Sequence, residues 1–414
     1  MELPGASGHM LAEPQRRTEP PLSSSLWGLG ICTEPPCCTR GAAADPQHRA
    51  ADSTAATNEM YEPYTQDDSN SRPDPTVFEV IQVANKDVQL LLKEGDIAVD
   101  LRRNARKCNT CKWPKNANGI VPVPYTISSQ YSSEVTLINE ALKEFETMTC
   151  VQFVNRVSET DYLSIESGVG CWSYIGRILG KQTVSLSSPS CMVYGVIQHE
   201  AMHNIGFFHE HTRMDRDNYI DILWQNMDQA YYGNFNSADG NTFSIPYDYA
   251  SVMHYNNYAY SKDNILRTIV PKPDPSVPIG QRSGMSSLDV MKINANYGCN
   301  LCREKLVTTS GSLSGNSSMA NQGGGNCLWL IQVPYMKVSL LFSNLNIAST
   351  DYVKVYDGFS KSSPVLLDRT YGSGPILPLV SSGRNMLVEF VKTSSSVTST
   401  FTASYVTVSR NYWK

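Results

Sequence analysis

Residues 199–211 read HEAMHNIGFFHEH, and this stretch constrains both the fold and the chemistry of the chain. On a helix, His199 and His203 are one turn apart, so both imidazoles project from the same face. Gly206 can adopt left-handed backbone, which ends the helix and turns the chain, so that His209 can reach the same point from a third direction. Three neutral imidazoles with a fourth position left for water are typical of a catalytic rather than a structural zinc site. The stretch therefore predicts one Zn²⁺ held by these three histidines.

Glu200 indicates what such a metal would be used for. A bare H-E-x-x-H pattern arises by chance on unrelated surface helices, but chance does not explain Gly206 and His209 at the required offsets. A structural zinc site would recruit a fourth side-chain ligand and would have no use for Glu200. The carboxylate of Glu200 can accept a proton from water at the metal and pass it to a leaving amine. We therefore predict hydrolysis of peptide bonds with Glu200 as the general base.

A second cluster, SVMHY at residues 251–255, follows the histidines. It fits a half-buried strand with an ordinary core methionine. It also fits a turn that places Met253 beneath the metal ligands as an apolar floor. Tyr255 could then present its phenol to the metal or to a developing oxyanion. The residues alone leave both interpretations open.

The composition narrows the classes of function. The chain has 414 residues, 18% of them charged, and a formal net charge of −5, so it lacks the basic footprint of a nucleic-acid-binding protein. No run reaches the roughly 18 apolar residues that a membrane-spanning helix needs, so we expect no membrane span. The 11 cysteines favour an oxidising compartment, yet residues 1–38 contain no secretory signal. Residues 1–75 carry both this anomaly and the odd three cysteines (Cys32, Cys37 and Cys38), so we expect them to be foreign to the secreted protein.

Composition also divides the chain into segments. Residues 1–75 are rich in Pro, Ser, Thr, Ala and Asp without apolar periodicity, which predicts disorder. The next segment ends in the dibasic pair Arg102-Arg103 and is either a linker or a propeptide with a processing site. A compact domain follows, and then short alternating runs between Gly/Ser-rich turns predict a β-sandwich without a convincing helix. The predicted segments are a disordered N-terminus (1–75), a propeptide (76–103), a protease domain (104–300), a sandwich (301–408) and a tail (409–414).

Periodicity predicts several elements of the protease domain. Residues 121–127 (VPVPYTI) read as a strand. Ser133 can cap a helix over residues 134–146, where apolar residues recur at i, i+3, i+4 and i+7. A last helix is predicted over residues 287–296.

Residues 199–219, which include HEHTRMDRDNY, together with SVMHY resemble the astacin family of zinc endopeptidases. The resemblance extends over residues 104–299 and includes GCWSY at 170–174 and IGQR at 279–282. It implies an α+β metzincin catalytic domain, with a twisted mixed sheet plus helices around a zinc cleft. The roles that it implies are three zinc ligands (His199, His203 and His209), the general base (Glu200), and a switchable zinc ligand that stabilises the oxyanion (Tyr255).

The resemblance also assigns residues outside the metal cluster. Met253 becomes the methionine of the Met-turn. The edge strand over the cleft, to which an extended substrate adds as a further strand, would consist of Cys171, Trp172, Ser173 and Tyr174. Core packing is an equal alternative for the two aromatic side chains of that strand.

Two further acidic residues match family positions that concern activation. Glu210 matches the glutamate that meets the new N-terminus after activation, and its alternative is a solvated surface carboxylate. Gly95-Asp96 resembles the inhibitory segment of family propeptides, in which the aspartate occupies the metal position later taken by water. Lys93 departs from that motif, where an apolar or aromatic residue is usual.

The cysteines after residue 104 can be paired by the same resemblance. Cys108 and Cys111, followed by KWPK, are similar to the hatching-enzyme branch of the family. A C-x-x-C pair can also be a redox or metal motif, but no second C-x-x-C is present, so we favour a disulfide. The core pairs implied by the family are Cys150–Cys299 and Cys171–Cys191.

Residues 302–408 resemble a CUB domain, an all-β sandwich, with Cys302–Cys327 as its disulfide and DYVKVYDG at 351–358. Many such domains bind calcium through acidic side chains. Asp351 is retained at one of those positions, whereas Asn346 and Thr393 occupy others, so we expect weak or no calcium binding.

The combined expectation is a secreted, zymogen-activated zinc endopeptidase. We expect extracellular protein substrates, with egg-envelope glycoproteins at hatching as the first choice, and a trypsin-like protease as the activator. The alternatives are a protease of extracellular matrix or dietary protein, and a non-catalytic protein that binds through its CUB-like domain. The intact set of Glu200, Tyr255 and the three histidines argues against a non-catalytic role.

Overall fold

The computed structural model describes residues 75–99, 111–237, 240–322, 325–334, 336–393 and 398–409, with the side chains of 321 and 322 left out. All of these residues belong to one compact unit. Among them, no helix is both long and apolar enough to span a membrane. The predictions that fall outside the described residues concern the disorder of residues 1–74, the cysteines at 32, 37 and 38, processing at Arg103, the side chain of Cys108, and the tail beyond residue 409.

The segment before the protease domain forms a helix and a two-stranded ribbon. Thr76 caps helix α1 (Val77–Ala84), because its side chain accepts from the Glu79 amide while the Glu79 carboxylate accepts from the Thr76 amide. Strands β1 (Leu92–Lys93) and β2 (Ile97–Ala98) pair antiparallel. The buried face of α1 joins the core of the protease domain, so this segment packs onto that domain.

A five-stranded mixed sheet forms the upper part of the protease domain, which confirms the predicted α+β class. Its strands are β3 (Val121–Ile127), β4 (Val151–Asn155), β5 (Tyr162–Glu166), β6 (Cys171–Trp172) and β7 (Lys181–Leu186). The order is β4-β3-β5-β7-β6, and only β6, at the edge, runs antiparallel to its neighbour. The edge strand β6 therefore spans only two residues.

Three helices share an apolar core with this sheet. They are α2 (Val135–Met148), α3 (Tyr194–Asn204) and α4 (Ser287–Tyr297). The predicted cap at Ser133 is wrong: α2 begins one residue later than predicted, which makes Glu134 the N-cap residue. The Glu134 side chain makes no capping hydrogen bond, and its carboxylate accepts from Ser188 Oγ at 2.7 Å. The helix also continues to Met148, which is fully buried. Ser286 caps α4 through a capping box with Asp289.

The chain between α3 and α4 is mostly irregular. Short 3₁₀ turns alternate with one small ribbon of β8 (Ile220–Ile222) and β9 (Ile269–Pro271), which pair antiparallel. A separate aromatic-rich core fills this lower part and includes Tyr255 and Phe78. Residues 76–99, the described part of the predicted propeptide (the prosegment), thus contribute to the cores of both halves of the protease domain.

Residues after 301 form the predicted all-β sandwich of two sheets. The strands are β10 (Cys302–Leu306), β11 (Ser310–Asn316), β12 (Asn326–Gln332), β13 (Lys337–Ile347), β14 (Tyr352–Tyr356), β15 (Val365–Thr370), β16 (Gly372–Ser373), β17 (Leu379–Val380), β18 (Asn385–Val391) and β19 (Thr400–Val408). The first sheet has the order β10-β12-β18-β14-β15, and the second has β11-β19-β13-β16 with β17 beside β13. The expectation of no helix is wrong at α5 (Ser317–Gln322), where Asn316 Oδ1 accepts from the Met319 amide and Ala320 is buried.

Three disulfide bonds tie these elements together. The described pairs are Cys150–Cys299, Cys171–Cys191 and Cys302–Cys327, with Cα–Cα distances of 5.5, 5.8 and 4.5 Å. Cys111 is also disulfide-bonded. The second pair joins the edge strand β6 to the loop before α3, so it ties that strand to the helix that carries His199 and His203, two of the predicted metal ligands.

The sandwich shares a buried interface with the protease domain. Leu328, Leu330 and Leu387 of the sandwich lie in the same apolar cluster as the protease core. Within this interface, Lys305 Nζ lies 2.6 Å from Glu144 Oε1, and both side chains are fully buried. The two domains are therefore packed on each other through both apolar and ionic contacts.

Candidate metal centre

Helix α3 and the turn after it bring the three predicted histidines together. Gly206 has φ of +100°, which supplies the turn predicted from its position. His199 Nε2 and His209 Nε2 lie 3.2 Å apart. Asp96 of the prosegment approaches all three rings: its Oδ2 lies 3.0 Å from His199 Nε2 and 3.2 Å from His209 Nε2, and its Oδ1 lies 3.4 Å from His203 Nε2. These four side chains are the metal-ligand group that the described residues offer.

The spacing of these atoms fits zinc. A tetrahedral zinc ion with ligands at about 2.0–2.1 Å separates each pair of ligand atoms by about 3.3–3.4 Å. His199 Nε2, His209 Nε2 and Asp96 Oδ2 are separated by 3.0–3.2 Å, close to these values, and Asp96 Oδ1 lies 3.4 Å from His203 Nε2. His203 Nε2 and Asp96 Oδ1 are buried and, among the described residues, have no hydrogen-bond partner. Buried polar atoms that point at a common centre without partners are what a metal would satisfy.

The opposite nitrogen of each ring has its own partner. The pairs are His199 Nδ1 with Val252 O at 2.8 Å, His203 Nδ1 with Phe207 O at 2.7 Å, and His209 Nδ1 with Glu94 Oε2 at 2.9 Å. Each partner is an acceptor, so each Nδ1 carries the proton and donates it. This arrangement leaves the Nε2 lone pairs for a metal and fixes the orientation of the rings.

Burial and mutual charge perturb the acids and bases of this cluster. Burial opposes ionisation of Asp96, but its interactions with His209, His203 and His199 outweigh burial and hold the pKa of Asp96 well below its usual range. Burial lowers the pKa of His199 to about 4. Burial also raises the pKa of Glu200, and the negative charge of Asp96 raises it further. A dication at the centre opposes that rise, so Glu200 and the metal are electrostatically linked.

Glu200 is fully buried, and neither of its carboxylate oxygens has a hydrogen-bond partner among the described residues. Its backbone carbonyl accepts from Ser173 Oγ at 3.0 Å. A buried carboxyl without partners costs free energy, and such a group beside a metal cluster is a candidate for proton transfer rather than for structure.

The turn at residues 251–255 is hydrogen-bonded to helix α3 and to the segment after it, which together carry the three histidines. Val252 O accepts from His199, and Met253 O accepts from the Glu210 amide at 3.0 Å. Asp289 of α4 anchors the turn, because its carboxylate accepts from Ser251 Oγ at 2.6 Å and from the Val252 amide at 2.9 Å. Met253 is almost fully buried. The segment is a turn, so its interpretation as a half-buried strand is wrong.

Tyr255 lies beside the cluster, with its hydroxyl turned to the prosegment. The phenol donates to the backbone carbonyl of Glu94. Its ring stacks on His211 with centroids 3.8 Å apart and contacts Phe78 of α1 at 4.1 Å. The predicted contact of this phenol with zinc stays a prediction.

The prosegment covers the edge strand that was predicted to receive substrate. The Ser173 amide donates to Asp96 O at 3.0 Å, and the Ala98 amide donates to Ser173 O at 2.8 Å. Asn85 spans the same gap: its Oδ1 accepts from the Cys171 amide at 2.7 Å, and its Nδ2 donates to Cys171 O at 2.8 Å and to Gly95 O at 2.9 Å. The main-chain groups of this edge are therefore paired with the chain's own N-terminal segment.

The two aromatic residues of this edge, Trp172 and Tyr174, are partly exposed. Their rings meet edge to face with centroids 6.0 Å apart, and Trp172 Nε1 donates to Val169 O. Their partial exposure shows that core packing does not fully account for these side chains.

Comparison with known proteins identifies the family. Residues 106–298 match the model of the family described as Astacin (Peptidase family M12A), and residues 302–405 match that of the CUB domain. An astacin-like metalloendopeptidase of Coturnix japonica is 42% identical over 370 residues, which cover 86% of this chain and 90% of that protein. The chain belongs to the astacin family. It is a zinc metalloendopeptidase with a C-terminal CUB domain.

Two further proteins are similar to parts of the chain. Embryonic protein UVS.2 of Xenopus laevis is 43% identical over 336 residues, which cover 80% of this chain and 65% of that protein. The solved structure of high choriolytic enzyme 1, a hatching enzyme zinc-protease from Oryzias latipes, is 47% identical. It covers 47% of this chain and 100% of its own, with a TM-score of 0.46.

Glu210 of this astacin is buried in an ionic network, so the alternative of a solvated surface carboxylate is wrong. Its Oε2 lies 2.6 Å from Lys292 Nζ, and its Oε1 accepts from Arg213 Nη1 at 3.0 Å and from the Asp248 amide at 2.9 Å. The predicted meeting of Glu210 with a new N-terminus involves a cleavage site outside the described residues, and it stays a prediction.

Sequence reasoning missed two residues that hold the prosegment in the astacin cleft. Glu94 contacts His209, and Asn85 bridges to the edge strand. Lys93, which departs from the family motif, places its ammonium 4.9 Å from the centre of the Phe208 ring and 3.2 Å from Glu94 Oε1. The only sequence signal for Glu94 was its position two residues before Asp96, and nothing in the pattern indicated Asn85.

Proposed function

We propose that this astacin is a secreted zinc endopeptidase that its own prosegment, residues 76–103, keeps latent until a trypsin-like protease cleaves at Arg103. The observation that carries this proposal is the position of Asp96, whose carboxylate lies within 3.0–3.4 Å of the Nε2 atoms of all three histidines. A carboxylate at that vertex excludes the water that hydrolysis requires.

Latency has a second component in the main chain. An extended substrate adds to an open sheet edge through backbone hydrogen bonds. The prosegment already uses the Ser173 amide and carbonyl and both main-chain groups of Cys171. Substrate and prosegment therefore compete for the same donors and acceptors, and the enzyme becomes active when the prosegment leaves.

After activation, the roles follow from the positions of the side chains. His199, His203 and His209 hold zinc, which when bound supplies Lewis acidity that lowers the pKa of water and polarises a peptide carbonyl. Glu200, buried and without hydrogen-bond partners among the described residues, accepts the proton of the attacking water and delivers it to the leaving amine. Tyr255, once released from the Glu94 carbonyl, can aim its hydroxyl at the developing oxyanion.

The proposed substrates are extracellular proteins, with egg-envelope glycoproteins first. This choice is supported by relatives whose names describe choriolytic enzymes and by Cys111 within the pair typical of the hatching-enzyme branch. The three described disulfides suit an oxidising, extracellular location. Extracellular matrix and dietary protein are the alternative substrates.

The test is a peptidase assay on the full chain before and after trypsin treatment. We expect the uncleaved chain to be inactive and the cleaved chain to be active, with loss of activity on chelation and in the Glu200→Gln variant. Solubilisation of isolated egg envelopes, compared with cleavage of procollagen, then distinguishes the substrates. Activity that survives chelation would refute the mechanism, whereas failure on egg envelopes alone would refute only the hatching role.

A further inference from the structure

Glu94 contacts the metal cluster from its outer side. Its side chain is fully buried, and its Oε2 accepts from His209 Nδ1 at 2.9 Å. Its Oε1 lies 3.2 Å from Lys93 Nζ, and its backbone carbonyl accepts from Tyr255. One prosegment residue thus contacts a metal-binding histidine, a cation and the catalytic-site phenol.

The backbone of Glu94 supports a specific role for this residue. Its φ is +51°, in the left-handed region that is costly for a residue with a side chain. Such conformations persist where the surrounding contacts require them, and they cluster at functional sites. The adjacent Gly95 has φ of +85°, and together the two residues turn the chain so that both Glu94 and Asp96 point toward the histidines.

The three histidines differ in the partner of their second nitrogen. His199 and His203 donate to backbone carbonyls, whereas His209 donates to the carboxylate of Glu94. A carboxylate on the second nitrogen makes a histidine a more basic ligand, and loss of such partners typically costs about 10–100-fold in metal affinity. In this chain, the carboxylate belongs to a segment that activation removes.

We propose that Glu94 is a positioning residue of the latent enzyme: it orients His209 and strengthens the hold on zinc until the prosegment is cleaved away. This inference rests on the proposed latency through Asp96 and adds a second contribution to it. Removal of the prosegment then withdraws two carboxylates at once, Asp96 from the metal position and Glu94 from His209. The uncleaved chain holds zinc more tightly than the mature enzyme, which leaves the mature enzyme more open to inactivation by chelators.

The experiment measures the rate at which zinc passes from the uncleaved full chain to a chromogenic chelator. Wild type is compared with Glu94→Gln and Glu94→Ala. We expect zinc transfer from Glu94→Ala to be faster by about 10–100-fold, with Glu94→Gln between the two because its amide oxygen still accepts a neutral hydrogen bond.

Two controls separate this role from a loosened prosegment. Glu79→Ala removes the capping box of α1 without touching His209, so it should leave the rate of zinc transfer close to that of wild type. After cleavage at Arg103, wild type and both Glu94 variants yield the same mature chain. Equal zinc retention and equal activity of these mature products show that the variants folded correctly.

The outcomes are distinct from those of the proposed latency. If Glu94→Ala releases zinc at the wild-type rate while Asp96→Asn activates the uncleaved chain, the role of Glu94 is refuted and the latency stands. If Glu79→Ala speeds zinc release as much as Glu94→Ala does, the effect is a general loosening, and the positioning role is again refuted. If uncleaved wild type is already active, the proposed latency itself fails.

Discussion

Lys305 and Glu144 form a buried ion pair between the CUB domain and the protease domain, which makes their interface open to a direct test. The ammonium and carboxylate lie 2.6 Å apart, and neither side chain is exposed. Tyr194 OH also donates to Glu144, at 2.6 Å, and Lys305 donates to the carbonyl of Met285. The substitution Lys305→Met removes the cation and leaves the anion in the interface.

The expected loss follows from burial. Burial opposes ionisation of Glu144, but the charge of Lys305 outweighs it and lowers the pKa of Glu144. Removing one partner of a buried pair leaves an uncompensated charge and costs about 3–5 kcal/mol of unfolding free energy. Replacing both partners by apolar residues is often nearly neutral, so Lys305→Met combined with Glu144→Leu should regain most of the loss.

The pair also predicts a pH dependence. Because the folded pKa of Glu144 is lower than its unfolded value near 4.5, its stabilisation is fully present above that value. It is lost as the pH falls below 4.5 and through the lowered folded pKa. The unfolding free energy of wild type should therefore fall relative to that of the double variant, which lacks Glu144, as the pH is lowered through this range.

The assay is urea unfolding of the full chain, followed by tryptophan fluorescence at a fixed zinc concentration. The matched control is Lys143→Met on the same helix α2, whose pair with Glu146 has a similar 2.7 Å distance but side chains that are 42% and 36% exposed. We expect that control to cost at most about 0.5 kcal/mol. Equal effects of Lys305→Met and Lys143→Met would contradict a buried ionic contact between the two domains.

Three further outcomes can be measured on the same protein. Tyr255→Phe should lower kcat of the activated enzyme by about 10²–10³ with little change in KM, as loss of an oxyanion donor does; an unchanged kcat would exclude that role. Asn85→Ala removes three hydrogen bonds to the edge strand and Gly95, each worth about 0.5–1.5 kcal/mol. The uncleaved variant should therefore show measurable peptidase activity, and complete latency would contradict a role of Asn85 in holding the prosegment. Both carboxylate oxygens of Asp351 accept hydrogen bonds, from the Thr393 amide at 3.0 Å and from Ser399 Oγ at 2.7 Å. Because these oxygens are already used within the CUB domain, millimolar calcium should shift Tm by less than about 1 °C. A larger rise in Tm would show a calcium site.

The sequence was sufficient for features that depend on local periodicity. The four-residue spacing of His199 and His203 determines that both face one side of a helix, and Gly206 supplies the backbone freedom that the turn needs. The alternating runs after residue 302 likewise predicted the sandwich, because burial on one face of each sheet imposes a period of two. Local rules were less exact at the start of α2, which begins at Val135 without a side-chain cap, because helix ends vary by one or two residues with little local signal.

Contacts between distant parts of the chain could not be predicted from spacing. Glu94 and His209 are 115 residues apart, and Glu144 and Lys305 are 161 apart. Neither pair forms a recurring motif, and each charged residue alone reads as an ordinary surface side chain. Their burial follows from how the prosegment and the sandwich pack on the protease domain, which only the folded chain reveals.

Counting the zinc ions bound by the uncleaved full chain tests the metal centre on which the proposed mechanism rests. Native mass spectrometry should find one zinc ion in wild type and in Glu200→Gln, because Glu200 is not a ligand. The double variant His199→Ala, His203→Ala should bind none, while its disulfides and secondary structure remain. An uncleaved wild-type chain without zinc, or a double variant that keeps its zinc, would contradict the assignment of these histidines as the ligands.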